Sequence, residues 1–114
     1  YAEMQRLALA HGARPETLLG LSGLGDLILT CGSAQSRNMS LGRGLGEGRT
    51  LSEILGGRSA VTEGVYTAAA LVGLARSKAV EMPIAEAVHE IIEGRLGVDE
   101  AIAGLMQRPL KAED

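Results

Sequence analysis

The sequence has no tryptophan or phenylalanine and only two tyrosines. A core without large rings must be assembled from Leu, Ile, Val, Ala and Met. There is a single cysteine, Cys31, so no internal disulfide can form, and no Cys or His spacing matches a zinc site. No apolar run reaches the roughly 20 residues needed to cross a bilayer, and no signal peptide is present. Basic excess is absent too. The formal net charge is -3, without the positive field typical of nucleic-acid binders. The reading is of a cytoplasmic protein with no nucleic-acid partner, no membrane insertion and no metal.

Glycine, by contrast, is abundant, with 16 in 114 residues. Each costs a helix interior about 1 kcal/mol, so short helices joined by tight turns are expected rather than a few long rods. The length suits one compact domain. No segment alternates with period 2 for long enough to demand a strand, and no fixed repeat marks a solenoid. The expectation is an all-α, single compact multi-helical domain across residues 1–114. The chain starts without Met and enters a helical pattern at once, as a domain taken from a larger protein does.

Ala2 to His11 reads as a helix with Met4, Leu7, Ala8 and Ala10 as its stripe and Gly12 as terminator. Pro15 and Glu16 suit the first turn of a second helix ending near Gly20. Ser22 is placed to cap a third, Gly23 to Thr30, and Ser36 a fourth that runs into the glycines at 42, 44, 46 and 48. Those glycines make sense if another helix or a ligand approaches closely, or if only the first part is helical. Thr50 to Leu55 is a short helix. Thr62 to Ser77 is a longer one, with Val65, Ala69, Val72 and Ala75 on one face. Pro83 opens the next, where Ile84, Val88 and Ile91 recur near the helical period. Val98 or Asp99 opens the last, through Met106.

Four places carry chemistry. Asp26 stands near the start of an apolar helix, either offsetting the helix dipole or accepting a hydrogen bond from a substrate hydroxyl. Ser36-Arg37-Asn38 combines helix-end amides, a forked guanidinium and a neutral amide, a phosphate receptor that needs no metal. The same triplet also serves as an ordinary cap and exposed turn. Arg43 and Arg49 enlarge the local basic patch or are solvated charges. Glu63, after Thr62, suits the positive end of the long helix or accepts from a ribose. GRGLGEG has neither the dinucleotide nor the Walker A pattern. Cys31 reads as a small apolar filler and His89 as a helix-surface residue beside Glu86 and Glu90.

Three stretches in order, GLSGLGDLILTCGSAQSRNMSLGRGLGEG, VTEGVYTAAALVGLARSKAVEMPIAEAVHEII and LMQRPLKAE, resemble the C-terminal domain of bacterial-type NAD(P)+-dependent glycerol-3-phosphate dehydrogenases. The resemblance spans nearly the whole chain. It implies a helical fold like the C-terminal domains of glycerol-3-phosphate and 6-phosphogluconate dehydrogenases. It also implies an N-terminal Rossmann domain absent from this chain. The implied reaction interconverts dihydroxyacetone phosphate and sn-glycerol 3-phosphate with NAD or NADP, in glycerophospholipid synthesis. Residue by residue, Asp26, Ser36, Arg37 and Asn38 match substrate-binding positions, and Arg37, Val61 and Glu63 match positions lining the cofactor. The family's catalytic lysine falls before residue 1, and neither Lys78 nor Lys111 replaces it. The chain alone is therefore expected to show no turnover and no strong cofactor binding, and the resemblance allows a homodimer. The alternative is a stand-alone helical phosphate-binding or protein-interaction module.

Overall fold

The computed structural model describes residues 1–33, 37–56 and 63–109 and is all-helical among them. Its elements are α1 (Ala2–Ala10), α2 (Pro15–Leu19), a π-helical turn (Leu21–Gly25), α3 (Asp26–Cys31), α4 (Arg37–Gly46), α5 (Leu51–Leu55), α6 (Glu63–Ser77), α7 (Pro83–Ile92) and α8 (Val98–Met106). The proline-led starts at Pro15 and Pro83 fall where their fixed φ and missing N–H are tolerated. Thr50 caps α5 through a reciprocal box: its hydroxyl accepts from Glu53 N at 3.2 Å while Glu53 Oε2 accepts from Thr50 N at 3.1 Å.

Four helices end in the same hydrogen-bonded motif, in which two successive amides reach back to the last turn. After α1, Gly12 N donates to Leu9 O and Ala13 N to Ala8 O. The corresponding position after α4 is Gly48 and after α7 is Gly94, both with positive φ. After α6 it is Ala79, at φ 52°, with Ala79 N donating to Arg76 O and Val80 N to Ala75 O.

The third helix differs from expectation. Ser22 makes no cap; it lies inside the π-helical turn, which runs without a break into α3. Gly25 N reaches Gly20 O at 3.3 Å, a five-residue step. Gly23 makes the turn possible, because a Cβ there would collide with the Leu18 carbonyl and its backbone.

The long helix α6 packs most closely on α7, and the core gathers on it. Ala68, Val72 and Ala75 are its buried residues, joined by Leu41 of α4, Met82 and Ala101 of α8. The expected face is therefore shifted by one residue at its N-terminal end, since Ala68 is buried and Ala69 exposed. On α7, Ile84 and Val88 are exposed rather than buried, and on α1 Ala10 is exposed.

Two long-range ties fix α1. Met82 gives α7 no side-chain cap; Glu3 does so from 81 and 82 residues away, with Oε1 accepting from Ile84 N at 2.6 Å and Oε2 from Ala85 N at 3.1 Å. Arg6 Nε donates to Glu81 O at 3.1 Å. Beyond α7, Arg95 grips Glu90 with two bonds of 2.7 and 2.8 Å. The hydrogen bond from Arg95 holds the Glu90 carboxyl below its usual range.

Candidate functional site

α4 keeps its helix through Gly42, Gly44 and Gly46 because tertiary packing offsets their weak propensity. Gly44 is buried against α5: a Cβ there would come within 2.8 Å of Ile54 Cδ1. Gly42 and Gly46 face open space. The expected close approach is thus a helix, and it occurs at Gly44.

Arg37 and Asn38 form the first turn of α4 and are exposed. The Arg37 side chain makes no hydrogen bond or ion pair with any described residue. Asn38 Oδ1 accepts from Gly64 N at 3.1 Å, joining the start of α4 to the start of α6. An amide N–H only donates, so the carboxamide oxygen must face it and Nδ2 must face away. That leaves two neutral donors on Asn38, the residue that follows the exposed Arg37 in the first turn of α4. Arg43 does not join them: it is engaged with Glu47, just past the end of α4, at 3.1 Å.

Asp26 is the first residue of α3, exposed, and its carboxylate has no partner among the described residues. It makes no cap bond. The π-helical turn continues the helix behind it, so Asp26 does not meet the open end that dipole compensation requires. Its neighbour Leu27 lines a cleft of about 560 Å³ bordered by α4, α6, α7 and α8, with Asn38 and Gly64 also on its wall. Leu41, Leu71, Val88 and Ile91 make that wall overwhelmingly apolar. An anion gains nothing from such a lining. Of the polar candidates, Asn38 reaches the cleft wall, while Asp26 and Arg37 are not among its lining residues.

Glu63 enters as the first residue of α6, next to the Asn38–Gly64 contact. Ser36 and Val61 lie outside the described residues, as do Thr62 and Lys111. Cys31 is exposed and so is not a core filler. His89 is half-buried, with Nδ1 buried and without a hydrogen-bond partner, rather than a solvated surface residue. Among the described residues no cluster of His, Cys, Asp and Glu could hold a metal, and no helix is long and apolar enough to cross a membrane. Sequence reasoning missed Gly64, whose partner lies 26 residues away and leaves no local signal.

The family described as "NAD-dependent glycerol-3-phosphate dehydrogenase C-terminus" matches residues 1–103. A glycerol-3-phosphate dehydrogenase [NAD(P)+] of Parvibaculum lavamentivorans is 61% identical over 113 residues, covering 99% of this chain and 34% of the relative. That of Hyphomonas neptunium is 65% identical with the same coverage. The crystal structure of glycerol-3-phosphate dehydrogenase from Coxiella burnetii superposes with a TM-score of 0.87 at 42% identity, over 93% of this chain and 33% of that one. The chain spans about a third of the length of these relatives.

Proposed function

Because the chain belongs to the family of NAD-dependent glycerol-3-phosphate dehydrogenase C-terminal domains, we propose that it is the substrate-binding part of an oxidoreductase. The enzyme interconverts dihydroxyacetone phosphate and sn-glycerol 3-phosphate with NAD or NADP, in glycerophospholipid synthesis. The observation that carries this reading is the first turn of α4: an exposed Arg37 whose guanidinium has no partner among the described residues, followed by Asn38, whose carboxamide oxygen is already committed to Gly64. Those donors suit a phosphate dianion.

In this reading residues 1–114 are the helical C-terminal domain, and a Rossmann domain precedes them in the intact protein. Arg37 and Asn38 grip the phosphate, and Ser36 joins them through the family resemblance. Gripping a group remote from the reacting carbon fixes the orientation of the carbonyl. Asp26, exposed and unpartnered, accepts from the substrate hydroxyl. Arg37 also fits the anionic phosphates of a nicotinamide dinucleotide, with Val61 and Glu63 lining the same cofactor. When bound, the nicotinamide supplies the hydride chemistry. The proton donor is a lysine of the preceding sequence; Lys78 is exposed at the end of α6, away from the cleft wall.

The test is kinetic. In the intact enzyme, Arg37→Ala lowers kcat/KM for dihydroxyacetone phosphate by about 2 kcal/mol or more, the scale of a charge-assisted contact. Unchanged constants, followed by NADH oxidation, would remove Arg37 from the site. The 114-residue chain on its own shows no turnover, and NADH oxidation by the purified chain would refute the division of labour.

A further inference from the structure

We infer that Gly64 is a positioning residue for the phosphate-binding site, aiming the Asn38 carboxamide from the start of α6. The inference rests on the reading of Asn38 as a phosphate ligand and deepens it. Gly64 N is among the first amides of α6, which have no partner within the helix. Asn38 Oδ1 satisfies it at 3.1 Å. The bond fixes which end of the carboxamide faces outward, so both Nδ2 hydrogens are presented away from α6. A neutral amide then offers only donors to an incoming anion.

The residue at position 64 must also lack a side chain. A Cβ on Gly64 would stand 2.9 Å from Asn38 Cγ and 3.4 Å from Nδ2, and closer still to Oδ1. The obstacle is the end of a short side chain rather than backbone. Rotation about the Asn38 side-chain bonds relieves it, so an added methyl leaves the helices in place and spoils the aim of the amide. The signature of Gly64→Ala is therefore a loss of substrate affinity out of proportion to any loss of stability.

Gly64→Ala, Asn38→Ala and the double variant in the intact enzyme test this. Each single variant is expected to raise KM for dihydroxyacetone phosphate about tenfold, the scale of one lost hydrogen bond. In each, kcat stays within about threefold and cooperative thermal unfolding is retained. The double variant is expected to be no worse than Asn38→Ala alone, because no carboxamide remains to be misdirected. An unchanged KM for Gly64→Ala overturns the inference. So does full additivity in the double variant, or loss of folding in Gly64→Ala, since both place the effect outside the Asn38 carboxamide. An unchanged KM for Asn38→Ala overturns both the inference and the role of Asn38. Turnover of the unaltered enzyme with dihydroxyacetone phosphate judges the enzymatic reading separately.

Discussion

Ala79 occupies the position at which three other helices of this chain place a glycine. With φ at 52°, its Cβ crowds the following carbonyl, a conformation that costs an L-residue roughly 1–2 kcal/mol. Part of that gain is lost on substitution, because glycine is freer in the unfolded chain. Ala79→Gly is therefore expected to stabilise the fold by about 0.5–1 kcal/mol, read as a higher Tm or denaturant midpoint at constant slope. A lower midpoint would mean that the Ala79 methyl contributes more packing than the strain costs. At the candidate site, single residues were partly legible. Asp26 and the Arg37–Asn38 pair announce themselves through residue type and helix-start context. The clamp on Asn38 did not, because its other half is an amide N–H, a group that every residue but proline carries.

At the scale of elements, boundaries set by local chemistry could be read directly. Pro15, Pro83 and the terminator Gly12 place helix ends within a residue or two of where they fall. Features set at a distance could not be read. Ala68 and Ala69 look alike to a hydrophobic pattern, so the register of the α6 face is decided only by what packs on it. Ser22 fits a cap by type, yet the contact of Gly23 with Leu18 winds the chain into a π-helical turn instead. The α7 start is likewise completed from afar, by Glu3. Glu3→Ala removes both acceptors and is expected to cost about 1–2 kcal/mol. The loss should be concentrated at the α1–α7 junction, so the amides of Ile84 and Ala85 should exchange with solvent faster than those in the middle of α6. Uniform acceleration across the chain would show that Glu3 supports the global fold rather than this joint.

Taken as a whole, the molecule is somewhat elongated, 41 × 30 × 25 Å along its principal axes. Its radius of gyration is 14.8 Å, against roughly 13 Å for a compact domain of about this size. Leu19, Leu21, Ile28 and Leu29 are exposed, Leu21 to 90%, and the apolar cleft opens between α3, α4, α6, α7 and α8. Periodicity gave the all-helical class and composition a core without aromatic rings, but neither could say how much of that aliphatic surface stays uncovered. Contiguous apolar surface of this kind binds hydrophobic dyes and promotes association. The isolated 114-residue chain is expected to enhance ANS fluorescence at neutral pH and to self-associate with rising concentration. Light scattering that finds a monomer throughout, with no dye enhancement, would show that this surface is covered in solution.

The π-helical turn before Asp26 acts as a phase shift in the helical screw. Adjacent positions in an α-helix differ by about 100° of azimuth, so one residue of extra winding redirects every side chain downstream. Leu27 lines the cleft, and both it and Asp26 follow directly on that extra winding. The bearing of the proposed hydroxyl acceptor is thus encoded in backbone winding, through Gly23, rather than in the choice of side chain at position 26. A chain that kept Asp26 but lost one residue of the turn would retain the motif by letter and lose it by direction.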